Sequence, residues 1–110
     1  MEYVDLHIHS FKSDGTWKPS EIEKEAKRLG MKAFAISDHD TVAGVLECEK
    51  CVPAIEMGTT FDNKDLHLLG YFIDVGDARL LREIDKQKIN RERRVYDTLE
   101  AAEKHDIFIT

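Results

Sequence analysis

Apolar and polar residues alternate from Met1 to Ile8, and Tyr3, Val4, Leu6 and Ile8 favour extended structure, which predicts a first strand. Ser10 to Lys18 lacks that alternation and carries the turn sequence Ser13-Asp14-Gly15. From Pro19 the period changes. Ile22, Ala26 and Leu29 recur at helical spacing, Gly30 supplies a stop, and Ser20 with Glu23 resembles a capping pair. Ala33 to Ser37 is a short, almost wholly apolar run, the form of a strand covered on both faces. A short helix is expected from Thr41 to about Lys50, a third strand from Cys51 to Glu56 and a fourth from Leu66 to Ile73. The polar stretch Asp62-Asn63-Lys64-Asp65 reads as a loop between the last two. One long helix follows, from about Asp77 to His105. Leu80, Leu81 and Ile84 form one apolar face on it, and Val95, Leu99 and Ala102 form another.

The order strand, helix, strand, helix, strand, strand, helix predicts an α/β architecture with mainly parallel strands. Ile107-Phe108-Ile109 is a further apolar run, and Thr110 would suit a helix N-cap. Four strands alone leave open sheet edges. The chain is therefore expected to be the front part of a larger domain, or to have those edges covered by self-association or by a partner chain.

Composition narrows the function. The chain has 110 residues, 42% hydrophobic and 35% charged, with a net charge of −6. That balance disfavours non-specific grip on duplex nucleic acid, which requires positive charge to displace counterions. It leaves an anionic substrate open, because bound divalent metal inverts a local field. No apolar run approaches the roughly 20 residues that span a bilayer, and no signal-peptide pattern opens the chain, so a cytoplasmic address and no membrane partner are expected. Cys48 and Cys51 form a single C-x-x-C, readable as a redox pair, half of a zinc site or two reduced thiols near a helix end.

Chemistry gathers at the C-terminal ends of the expected strands. His7 and His9 end the first, two residues apart and so on one face, with Asp14 in the loop beyond. Asp38, His39 and Asp40 follow the second, Glu56 ends the third, and His67 lies in the fourth. Active sites of parallel α/β folds occupy this edge. Four histidines with carboxylates suit a centre of two or three divalent ions, with zinc, iron or manganese as candidates. Such ions at bridging distance can clamp a phosphoryl group and acidify a water. No nucleophile elbow, phosphate loop or dinucleotide fingerprint competes with that reading. The basic stretch Lys86 to Arg94 contains Arg91 and Arg94, candidates for a phosphate anchor against the alternative of a solvated helix face.

Taken in order, Asp5-Leu6-His7-Ile8-His9-Ser10 with Ser13-Asp14-Gly15, then Asp38-His39-Asp40-Thr41, Pro53-Ala54-Ile55-Glu56 and His67-Leu68-Leu69-Gly70-Tyr71-Phe72, this chain resembles the PHP (polymerase and histidinol phosphatase) superfamily of metal-dependent phosphoesterases. Within it, the fourth stretch is similar to the stand-alone branch acting on nucleoside bisphosphates and on the 5′ ends of short RNAs. The resemblance implies that residues 1–110 are the N-terminal part of a single domain, a distorted (β/α)7 barrel with a trinuclear site on its rim. It implies that His7, His9 and Glu56 hold one ion, that Glu56 bridges to a second held with His67, and that Asp14 and His39 help hold a third. Asp38 and Asp40 become the catalytic candidates, as carboxylates that orient ligand imidazoles. The chain departs from the family in length, in a short segment from Gly44 to Pro53, and in Ala54 where glycine is usual. The family's later histidine and Asp-x-His ligands have no match here, and His105 is not a substitute.

Two functions are carried forward. One is hydrolysis of a phosphomonoester in a nucleotide, a short nucleic acid or another phosphorylated small molecule. The other is a metal-binding fragment or module that is catalytically incomplete without further chain. A polymerase-associated proofreading or scaffolding domain fits less well, because no polymerase sequence accompanies the motifs.

Overall fold

A computed structural model of the chain describes residues 2–105. Its elements are β1 (Val4–Ile8), α1 (Pro19–Arg28), β2 (Ala33–Ile36), α2 (Ala43–Leu46), β3 (Val52–Phe61), β4 (Lys64–Tyr71) and α3 (Ala78–Lys104). One sheet runs in the order β1-β2-β3-β4. The first two pairings are parallel and the last is antiparallel. The sheet curls, so that the Tyr71 hydroxyl on β4 donates to the Leu6 carbonyl on β1, at the far end of the strand order, at 2.7 Å. The α/β half-barrel expected from the sequence is thus present; the run Ile107 to Thr110 lies outside the described residues.

The core lies where α1 and α2 cover one face of the sheet. Ile22, Ala26, Phe34, Ile36 and Val45 are buried together, with Ile8, Met31, Cys48, Cys51 and Val75 packed around them. Pro19 opens α1, as its fixed φ favours. The side chain that reaches back to the N-terminus is Glu21, which accepts from the Lys18 N–H at 3.2 Å; the Ser20–Glu23 pair expected from the sequence does not form the cap. With proline as the first helical residue, position 21 rather than 23 stands three beyond the cap. At the other end Gly30 takes φ +67, its N–H bonds to Lys27 and that of Met31 to Ala26, a Schellman closure requiring left-handed backbone. Leu29 precedes that turn and is exposed, not buried as its spacing suggested.

The second helix is one turn, shorter than the expected Thr41 to Lys50. The Glu23 carboxylate explains its end. One oxygen accepts from the N–H groups of Glu49 (3.1 Å) and Lys50 (2.8 Å) and from the Cys48 thiol (3.2 Å), turning the chain out of helix. Both cysteines are free and partly buried. The third strand runs five residues beyond the expected Glu56. Asp62 and Asn63 both have positive φ and form a two-residue hairpin turn, so the stretch read as a loop is the tip of a β-ribbon. That register sets His67 opposite Gly58 and Leu69 opposite Glu56. The Asp77 side chain caps α3 by accepting from Leu80 at 2.9 Å. This helix buries none of its residues among those described, and none of the described helices is long and apolar enough to cross a membrane.

Candidate metal centre

The site is built around Glu56, whose side chain is only 5% exposed. β3 holds it through two backbone bonds to the loop after β2: the Glu56 N–H donates to the Asp38 carbonyl and its carbonyl accepts from Asp40, each at 3.0 Å. One carboxylate oxygen meets His7 Nε2 and, at 3.1 Å, His9 Nε2. The other meets His39 Nδ1 at 3.3 Å and His67 Nδ1 at 2.9 Å. Four imidazoles from β1, the β2 loop and β4 therefore converge on one carboxylate. Burial alone would push the Glu56 carboxyl up; the contacts with His7 and His9 and the charges of His39 and His7 outweigh it and hold the group below its ordinary range.

Asp14 completes the cluster from the loop after β1. It sits 2.6 Å from His9 Nδ1 and 3.2 Å from His39 Nε2. That loop is shaped by buried Asp38. Its carboxylate accepts from the Ser10 N–H (2.6 Å), the Ser10 hydroxyl (2.6 Å) and the Ser13 hydroxyl (2.8 Å). Gly15 lies so close to the His9 carbonyl that a Cβ there would overlap it.

Three groups of donors result: His7, His9 and Glu56; His9, Asp14 and His39; and His39, Glu56 and His67, the ligand atoms of each lying within 4.8 Å of one another. Each group combines two imidazole nitrogens with one carboxylate oxygen. Each group would offer an ion three protein donors, with its remaining positions left to water, substrate or further chain. The nitrogen and oxygen donors fit zinc, iron or manganese. His9 and His39 each stand between two groups, one ring nitrogen facing Glu56 and the other Asp14.

The structure brings together all six residues expected as metal ligands: His7, His9, Asp14, His39, Glu56 and His67. The two remaining carboxylates have other partners than the imidazoles expected for them. Asp38 holds serines, and Asp40 accepts from the Gly58 N–H at 3.0 Å and pairs with Arg91. A cleft of about 650 Å³ opens beside the cluster, with His39, Asp40 and His67 on one wall and Asn90, Arg91 and Arg94 of α3 on the other. A second, of about 480 Å³, reaches Asp14, His39 and Asp40 and is bordered by Lys88 and Arg91. Sequence reasoning missed the Asp38–serine lock and the Asp40–Arg91 pair, because each joins residues 25 to 51 positions apart with no periodic signal.

The chain is 31% identical over 111 residues to a 5′-3′ exoribonuclease of Haemophilus influenzae, covering 94% of this chain and 40% of that protein. It is 29% identical over 113 residues to a 3′,5′-nucleoside bisphosphate phosphatase of Chromobacterium violaceum, covering 93% and 40%. It thus spans about two fifths of the length of these curated relatives. A crystal structure from Bifidobacterium adolescentis, described as a metal-dependent phosphoesterase, superposes with a TM-score of 0.80 at 26% identity, over 92% of this chain and 38% of that one. The family model for the PHP domain matches residues 5–103, and the chain belongs to that family.

Proposed function

We propose that this chain carries the first part of the active site of a metal-dependent phosphoesterase, one that hydrolyses a phosphomonoester of a nucleotide or short nucleic acid at a centre of two or three divalent ions. The observation that carries the reading is the Glu56 carboxylate, buried and touched by four imidazoles on its two oxygens. No packing requirement of the fold explains four histidines on one carboxylate. Divalent ions held there supply Lewis acidity toward phosphoryl oxygens and a lowered pKa for water. Glu56 spans two of the donor groups and fixes their separation. Asp38 locks Ser10 and Ser13, and so holds the loop that presents Asp14. Arg94 supplies positive charge along the cleft for an anionic substrate, beside Arg91, whose charge is matched by Asp40. The names of the exoribonuclease and bisphosphate phosphatase relatives support a nucleotide-type substrate.

The test is phosphate release by the full chain with manganese, from adenosine 3′,5′-bisphosphate and from a short 5′-phosphorylated RNA. His9→Ala and Glu56→Gln should each lower the rate at least about a hundredfold. Full activity in both variants overturns the reading. A second reading, a metal-binding module that turns over only with further chain, is favoured by the two fifths of its relatives that this chain spans. Robust turnover by the monomeric 110-residue chain rejects it.

A further inference from the structure

α3 supplies one wall of the cleft, yet it buries none of its residues. Among the described residues, a single hydrogen-bonded ion pair ties its side chains to the rest of the structure, from Arg91 Nη2 to Asp40 Oδ2. Asp40 is well placed to receive it. Its side chain is 8% exposed, its other oxygen accepts from the Gly58 N–H, and its own N–H donates to the Glu56 carbonyl. Its backbone has φ +50, which turns the chain just after His39. One residue thus touches the central strand, the hairpin and the long helix. Gln87, Arg91 and Arg94 recur at helical spacing and all line the wider cleft, so fixing Arg91 fixes its two neighbours along the same wall. The Arg91 guanidinium is engaged by Asp40, whereas Arg94 has no carboxylate partner among the described residues.

We propose that Asp40 is a positioning residue that acts through Arg91: the pair seats α3 against the metal rim and aims Arg94 at the anionic end of the substrate. The substrate part of this inference rests on the phosphoesterase reading; the seating of α3 does not. It divides the roles of the two arginines. Arg91 holds the helix and Arg94 meets the ligand.

The experiment uses the full chain with manganese and compares Asp40→Asn, Arg91→Gln, Arg91→Lys and the Asp40→Asn/Arg91→Gln double variant. Asparagine keeps an acceptor for Gly58 while removing the charge. Amide hydrogen exchange across Ala78–Lys104 is read without substrate, and KM and kcat are read with adenosine 3′,5′-bisphosphate. Asp40→Asn and Arg91→Gln should each speed exchange in the middle of α3 and raise KM about five- to tenfold with kcat within about twofold. The double variant should be no worse than either single one, and Arg91→Lys should keep most of the wild-type KM. A general loss of fold lowers kcat through the active fraction and leaves KM alone, so the split separates positioning from mere structure. Unchanged α3 exchange in both single variants, or losses that multiply in the double variant, overturns the proposal. Should Asp40→Asn not fold, the contrast between Arg91→Gln and Arg91→Lys decides it. Should the wild type release no phosphate, the chain follows the second reading and turns over only with further chain, while the exchange data still decide whether Asp40 seats the helix.

Discussion

Gly44 shows how tightly single residues constrain the rim. It lies in a helical turn, where alanine would ordinarily stabilise by about 1 kcal/mol. A Cβ at this position would stand 2.8 Å from Ser10 Oγ and closer still to Asp38 Oδ2. Both belong to the buried lock that shapes the Asp14 loop. The overlap outweighs the propensity, so Gly44→Ala is expected to destabilise by about 2 kcal/mol or more in urea unfolding. Gly58→Ala is the control: its Cβ would meet Asp40 at 3.6 Å, an ordinary contact, and the change should stay within about 1 kcal/mol. Asp38→Ala should lower stability by about 3 kcal/mol or more, since three donors lose their acceptor inside the protein. The metal-type residues were readable in the sequence because His7-x-His9 and His39 stand at the ends of β1 and β2, where chemistry collects; Glu56, expected to end the third strand, stands within β3. The role of Asp38 was not, because the chain gives no hint that Ser10 and Ser13 fold back onto it.

Between elements, Glu23 links α1 to the segment leaving α2, and this link is sensitive to pH. The backbone N–H of Lys50, the Cys48 thiol and the Glu49 N–H favour the ionised carboxylate, against a smaller opposing effect of burial, and its pKa falls below the ordinary 4.5. A group with a depressed folded pKa adds stability above its unfolded pKa and loses it as pH falls through the folded one. Wild-type stability should therefore drop between about pH 5 and pH 3 more steeply than that of Glu23→Gln, as followed by urea midpoints across that range. Burial, Cys51 and Glu23 together push the Cys48 thiol up. Cys48 should accordingly react with iodoacetamide at pH 7.5 more slowly than a free cysteine, and Glu23→Gln should speed it. Rates equal to that of free cysteine in the folded protein would refute the placement. Element type and order were legible from period and turn chemistry. Element ends were not: α2 stops where a distant carboxylate captures its backbone, and β3 continues because Asp62 and Asn63 accept left-handed backbone.

The whole molecule is an open arc rather than a closed body. Its dimensions are 55 × 31 × 24 Å, and its radius of gyration is 16.7 Å, against about 13 Å for a compact chain of this length. The core covers one face only, while the concave face carries the cluster; Leu68, which alternates with His67 along β4, and Phe72 are exposed. Parallel order could be read from the short apolar strands, but the seat of α3 could not, since it depends on one ion pair between residues 51 apart. Across that concave face, β1 and β4 meet through few groups: the Tyr71–Leu6 bond, and His7 and His9 facing His67 through Glu56. A divalent ion would tie β1 to β3 through His7, His9 and Glu56, or β3 to β4 through His39, Glu56 and His67, and one that binds only the folded chain stabilises it by about 2.7 kcal/mol at a hundredfold excess over its dissociation constant. Added manganese should raise the thermal midpoint by several degrees, and a chelator should reverse the rise. Glu56→Gln should abolish most of the shift, because each of its oxygens serves a different donor group. His105→Ala should preserve it, since that histidine caps the far end of α3 and joins none of the groups. A chelator-insensitive midpoint, or an equal shift in Glu56→Gln, would show that the imidazoles hold no ion in the folded state.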